Sequence, residues 1–196
     1  KRENSMSFDP FAMERWQSTY EHAVRFNLSE SGVEPLTLGE LVELVGMDPA
    51  ELSDTLIEYI PSDGSPGLRS AIAAMYPDAT SNNVLVTNGG AEANFVTSWL
   101  LCEPGDQLVY LAPNYMQFPG MAVNLGCTAQ PLPLREATGW QPDLDELSSL
   151  VTDATKLILV TNPNNPTGAI LSAAAMQRIV EVADSVGAWI IADEIY

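Results

Sequence analysis

Four short segments carry residue types that could grip a flat, charged ligand. The first, Thr87-Asn88-Gly89-Gly90-Ala91-Glu92-Ala93, follows an apolar run and opens a helical stretch. Two glycines let the backbone approach an anion, and a helix N-terminus offers free amides with a favourable dipole. Alone, such a turn is equally well explained as a tight turn. The second, Ala112-Pro113-Asn114-Tyr115, leaves the next apolar run. Open parallel sheets bind ligands outside the carboxyl ends of their strands, so Tyr115 can cover a ring there; a loop tyrosine otherwise serves a core or an interface. The third, Thr161-Asn162-Pro163-Asn164-Asn165-Pro166-Thr167-Gly168, has two prolines and a glycine to fix its shape. Its Asn165 amide can donate to a phenolate oxygen, against the plain alternative of an Asn/Pro/Gly turn. The fourth, Ala192-Asp193-Glu194-Ile195-Tyr196, puts a carboxylate where it can pair with a protonated ring nitrogen, although an isolated loop acid would mean little. Spacing favours the joint reading: 28 residues separate Asn165 from Asp193 (193 − 165), room for one helix and one strand.

The elements around these segments alternate as a parallel α/β sheet does. Val84–Thr87 reads as a short β-branched strand and 91–101 as a helix. Gln107–Leu111 is the next strand, Gln117–Asn124 a helix stopping near Gly126, and Thr128–Leu134 a proline-broken strand expected near an edge. Asp143 caps a helix through Leu150, and Lys156–Thr161 is a fully buried type of strand. Ser172 caps a helix whose apolar positions are Met176, Ile179, Val180, Ala183 and Val186, with Gly187 as its stop, before a last buried strand over Ala188–Ala192.

The first 80 or so residues read differently. Asp9-Pro10 opens a helix carrying Trp16, Tyr20 and Ala23 on one face. Thr37-Leu-Gly-Glu40 and Asp48-Pro-Ala-Glu51 are capping boxes, and Ser65-Pro66 opens a helix with Leu68, Ile72 and Met75 inward. This part is expected to be a helical arm with loops. Met6 is a candidate native start, with residues 1–5 an appended remnant.

Asn-Pro-Asn-Asn-Pro-Thr-Gly followed by Asp-Glu-Ile-Tyr resembles the signature pair of class I/II aminotransferases, fold-type-I enzymes that use pyridoxal 5'-phosphate (PLP). The resemblance runs from about Tyr59 to Tyr196, with a looser match upstream. It implies the α/β PLP-dependent transferase-like fold, a mostly parallel sheet flanked by helices and preceded by a helical N-terminal arm. Residues 1–80 would be that arm and part of the small domain, and 81–196 the first part of the large PLP-binding domain. It also implies roles. The amides of Gly90 and Ala91 would cradle the cofactor phosphate, Tyr115 would stack on the pyridine ring, and Asn165 and Tyr196 would hold its phenolic oxygen. Asp193 would pair with the ring nitrogen as the catalytic acid partner. Tyr59, in Tyr59-Ile-Pro-Ser-Asp-Gly64-Ser-Pro-Gly-Leu-Arg69, matches the tyrosine that reaches the phosphate in a neighbouring subunit, which implies a homodimer. Gly32 matches a loop near the substrate carboxylate.

One requirement is unmet. The only lysines are Lys1 and Lys156, the latter at the start of its strand and so at the wrong end of the sheet for a Schiff base. The family's lysine and carboxylate-binding arginine lie downstream of the Asp-x-x-Tyr motif, so the expectation is one half of a longer enzyme. Its expected activity is amino transfer between an amino acid and a 2-oxo acid. A different PLP reaction is the first alternative, because Arg15-Trp16, Ser29–Val33 and Leu38–Leu41 resemble capreomycidine-synthase-like cyclases. A non-catalytic binding domain on the same fold is the second, disfavoured by the lack of a basic or helix-turn-helix segment. The 26 acids against 8 bases, a formal charge of −18, argue against a nucleic-acid groove. No apolar run nears the ~18 residues of a membrane span. Cys102 and Cys127 lack metal-ligand spacing and read as a buried, reduced pair in a cytoplasmic protein.

Overall fold

The computed structural model describes residues 8–196; the expectations for Lys1, Met6 and residues 1–5 lie outside the described residues. The described residues divide into two compact units, one running from Asn88 to Tyr196 together with residues 8–11, the other from Ala12 to Thr87.

The first unit alternates helix and strand: α5 (Gly89–Leu101), β1 (Gln107–Ala112), α6 (Gln117–Asn124), β2 (Thr128–Pro133), α7 (Leu144–Leu150), β3 (Thr155–Thr161), α8 (Ala173–Val186) and β4 (Trp189–Asp193). All pairings are parallel and the order is β2-β1-β3-β4. The proline-broken strand β2 is at an edge, as its sequence requires: a residue without an N–H cannot complete a central ladder. The central strands β1 and β3 are apolar at consecutive positions because both their faces are covered. Val109, Leu111, Ile158 and Val160 face one core with Leu147 of α7 and Ile179, Val182 and Ala183 of α8. Leu108, Tyr110, Leu157 and Leu159 face the other, with Phe118 and Ala122 of α6 and both cysteines. Each fully buried Val, Leu, Ile or Phe side chain among them is worth about 1.5–3 kcal/mol of transfer free energy.

Local signals set the ends of these helices. Asp143 accepts from the amides of Asp145 and Glu146 at α7, and Ser172 from Ala175 at α8, which Gly187 closes in a left-handed conformation. Two details differ from the sequence pattern. In α8 the inward residue is Val182, not Val180, which is 37% exposed; the buried stripe follows Ala175, Ile179, Val182 and Ala183. And β4 is only half-buried, with Trp189 59% exposed, because among the described residues no strand pairs on its outer side.

The second unit holds α1 (Ala12–Tyr20), α2 (Leu38–Val45), α3 (Pro49–Ser53) and α4 (Pro66–Ala73). Thr37 and Glu40 form a reciprocal capping box on α2, and the two bonds from Thr37 hold the Glu40 carboxyl below its ordinary value. On α1 the Trp16 and Tyr20 rings meet at 5.4 Å, while Ala23 lies beyond the helix. On α4, Leu68 is exposed rather than inward, Ala73 is the buried residue and Ile72 is half-buried, while Met75 lies beyond the end of the helix and is exposed.

Val84–Thr87 is extended but forms no strand, contrary to its β-branched composition. Two of its polar groups, the Val84 carbonyl and the Val86 amide, find partners outside any ladder. The Arg69 guanidinium donates to the carbonyls of Ser81 (3.0 and 2.6 Å) and Val84 (3.0 Å) and pairs with Asp63. The Val86 amide in turn donates to the Asp63 carbonyl at 3.0 Å. Gly64 is required at this crossing, since a Cβ there would lie 2.4 Å from Val86 Cγ2 and its φ is +103°.

Candidate functional site

Strand order reverses between β1 and β3, and the chain leaves these two strands in opposite directions along the sheet. That opens a crevice at their carboxyl ends, where doubly wound sheets bind ligands. A cavity of about 210 Å³ lies there, lined by residues of the first unit alone. Gly90 and Ala91 come from the first turn of α5, Tyr115 from the loop after β1, Asn165 from the loop after β3, and Asp193 and Tyr196 from the end of β4. Six residues singled out from the sequence are thus brought to one cavity. Tyr59 and Gly32 belong to the other unit: Tyr59 is fully exposed, and the Gly32 amide donates to Glu30 Oε1 at 2.7 Å. Lys156 is near the start of β3, at the end of the sheet away from the crevice.

The loops that carry these groups are tied to each other. Thr161 Oγ1 donates to Asn114 Oδ1 at 3.0 Å, and Asn114 Nδ2 to the Leu111 carbonyl at 2.9 Å, which joins the exits of β3 and β1. Buried Asn164 donates through Nδ2 to the Pro113 carbonyl (3.2 Å) and to Thr167 Oγ1 (2.9 Å). The Asn162 amide donates to the Asp193 carbonyl at 2.9 Å, joining β3 to β4. The Ile195 amide donates to Asp193 Oδ1 at 3.2 Å and so fixes the carboxylate beside the cavity. The Tyr115 ring is held from its edge by Phe11, with centroids 5.2 Å apart and planes at 63°.

The donor set suits an anionic, flat ligand. Asn88 makes no side-chain cap on α5, so its own side chain does not occupy the first-turn amides. Glycine at position 90 lets Ile195 close on the first turn of α5, since a Cβ there would come within 2.9 Å of Ile195 Cδ1. The cavity also holds Asn94, Gln117, Thr161 and Ile195, which sequence reasoning passed over. Asn94 could have been found by helical spacing, as it lies three and four residues beyond Ala91 and Gly90.

Residues 34–196 match the model of the aminotransferase class I and II family. The chain belongs to that family. It is 32% identical over 175 residues to the capreomycidine synthase of Streptomyces vinaceus, covering 87% of the chain and 44% of that protein. To the aspartate aminotransferase of Musicola paradisiaca it is 33% identical over 159 residues, 78% of the chain and 40% of that enzyme. The structure superposes on a PLP-dependent aminotransferase from Streptococcus suis with a TM-score of 0.90 at 33% identity, covering 97% of the chain and 52% of that protein. The chain therefore spans about half or less of the length of the relatives it matches, and its sheet and flanking helices are those of the PLP-dependent aminotransferase fold. No described helix is long and apolar enough to cross a membrane.

Proposed function

We propose that the whole protein is a PLP-dependent aminotransferase moving an amino group between an amino acid and a 2-oxo acid. The observation that carries this reading is the gathering of Gly90, Ala91, Tyr115, Asn165, Asp193 and Tyr196 around one cavity at the carboxyl ends of the strands. When bound, PLP supplies an electron sink for reactions at an amino acid's α-carbon. The chain's own residues bind and orient it. The Gly90 and Ala91 amides take the phosphate at the N-terminus of α5, and the Tyr115 ring covers one face of the pyridine. Asn165 and Tyr196 donate to the phenolic oxygen. Asp193, steadied by the Ile195 amide, holds a proton on the ring nitrogen, because an opposite charge nearby favours the cationic form.

We further infer a homodimer in which Tyr59 serves the neighbouring subunit's phosphate and Gly32 lines the substrate carboxylate loop. Residues 1–80 would be the arm and part of the small domain, and 81–196 the first part of the large domain. The Schiff-base lysine and the carboxylate-binding arginine would come from chain beyond Tyr196. The paired free thiols Cys102 and Cys127 suit a cytoplasmic setting. A cyclase or lyase reaction is the second reading, supported by the similarity to a capreomycidine synthase over 87% of the chain.

Product analysis of the whole protein with PLP and a panel of amino acids tests the choice. Amino transfer yields the donor's 2-oxo acid and a new amino acid from an added 2-oxo acid. A cyclised or shortened side chain, with no 2-oxo acid formed, would establish the second reading instead.

A further inference from the structure

Gln117 is the first residue of α6 and lies two residues beyond Tyr115. Its Nε2 donates to the Ala91 carbonyl at 3.0 Å, and its Oε1 accepts from Asn94 Nδ2 at 3.1 Å. One side chain thus grasps two points of α5 a single turn apart, and both Gln117 and Asn94 line the cavity. An amide is suited to this, since it presents a donor and an acceptor side by side in one plane. A hydrophobic side chain of the same length would pack in the same place but fix neither point.

The geometry points to Gln117 as a positioning residue, with Asn94 as its anchor, that sets the register between the anion-binding turn at Gly90–Ala91 and the loop carrying Tyr115. The inference rests on the PLP reading of the cavity. PLP has a rigid span between ring and phosphate, so the two protein surfaces that receive its ends must stand at a fixed separation. Where they are held there beforehand, binding one end delivers the other at high effective concentration. Where the link is cut, each half-site persists but the gain from engaging both together falls. A merely structural role would weaken every ligand alike.

Binding to the whole protein distinguishes these cases without reference to turnover. The probes are 4′-deoxypyridoxine 5′-phosphate, which has both ends and cannot bond covalently to a lysine, and its halves, pyridoxine and inorganic phosphate. Gln117→Met, which keeps length and removes both bonds, should raise the Kd of the two-ended probe about tenfold, which is about 1.4 kcal/mol. The Kd values for pyridoxine and for phosphate should stay within about twofold. Asn94→Ala, which cuts one bond, should give a smaller loss of about threefold with the same selectivity. It carries the test if Gln117→Met fails to fold, a failure recognised by loss of all three ligands. Unchanged affinity for the two-ended probe in both variants, or equal weakening of all three ligands by Asn94→Ala, would overturn the inference. Wild-type protein that bound neither this probe nor PLP would overturn the cofactor reading itself, and the inference with it.

Discussion

Replacing Asn164 by alanine should cost about 2 kcal/mol, the small remainder of larger opposing terms. Asn164 is 2% exposed and ties the loop of Asn165 to the loop that leads to Tyr115. The change removes two side-chain hydrogen bonds, about 1 kcal/mol each, and takes from the Pro113 carbonyl this donor, worth a further ~1–3 kcal/mol where the group stays dry. Thr167 Oγ1 is not orphaned, because the Ala169 amide still donates to it at 3.2 Å. Against these losses stands one relief. Asn164 Oδ1 is buried with no hydrogen-bond partner among the described residues, so its removal returns ~1–3 kcal/mol. The last two terms nearly cancel and leave the two bonds. The backbone bonds of the loop, Asn164 N to Ala169 O at 2.9 Å and Gly168 N to Asn164 O at 2.8 Å, survive the change. Urea denaturation followed by circular dichroism measures the difference. Asn164→Asp should cost more at neutral pH, since a buried charge replaces the donor facing the Pro113 carbonyl. That gap should narrow as pH falls and the protonated acid regains an O–H to donate. A loss below about 0.5 kcal/mol for Asn164→Ala, or a pH-independent Asn164→Asp, would refute the reasoning.

In the whole protein, Asp193→Asn should lower turnover ~10²-fold or more while PLP binding weakens less, because the Gly90 and Ala91 amides proposed to hold the phosphate remain; Glu194→Gln, outside the cavity lining, should matter little. Steady-state kinetics with the reverse ranking would mean the wrong carboxylate has been assigned. Arg69→Met should destabilise the second unit by about 2–4 kcal/mol, since it strands the Ser81 and Val84 carbonyls, and hydrogen exchange at Val86 should quicken; an unchanged exchange rate would contradict the role given to this side chain. Burial, with Cys127 alongside, pushes the Cys102 thiol up to about 12, so neither a thiol-alkylating reagent at pH 8 nor mild base should reach it in the folded protein. The folded state favours the neutral thiol, so its contribution to stability is intact below about pH 8 and is lost as pH rises from about 9 towards 12.

Much of the first unit was legible in the sequence because local chemistry and tertiary packing agree there. The Asp143 cap and the span from Ser172 to Gly187 follow from capping residues and apolar spacing, and the structure has both, along with the helix expected over Gln117–Asn124, at those positions. The prolines of β2 likewise anticipated its place at an edge and the apolar run of β3 its burial, whereas Ala188–Ala192, read as a buried strand, stands at the other edge among the described residues. The failures occur where a partner remote in sequence decides. Val84–Thr87 has the composition of a strand, but Arg69, fifteen residues before Val84, takes its carbonyl. Leu68 and Met75 have helical spacing, yet within their unit little apolar surface covers them. The Asn94–Gln117 link joins residues 23 apart through polar side chains, which hydrophobic periodicity does not register. That Gly90, Ala91, Tyr115, Asn165, Asp193 and Tyr196 come to one cavity was legible because each stands at a strand or helix end, and parallel topology collects such ends on one side of the sheet.

A crystal structure of the whole protein loaded with PLP tests the central claim most directly. The account predicts phosphate oxygens about 2.7–3.2 Å from the amide nitrogens of Gly90 and Ala91, the pyridine lying on the Tyr115 ring, and its nitrogen facing the Asp193 carboxylate. A phosphate held away from the α5 N-terminus, or a ring nitrogen facing any group other than Asp193, would contradict it.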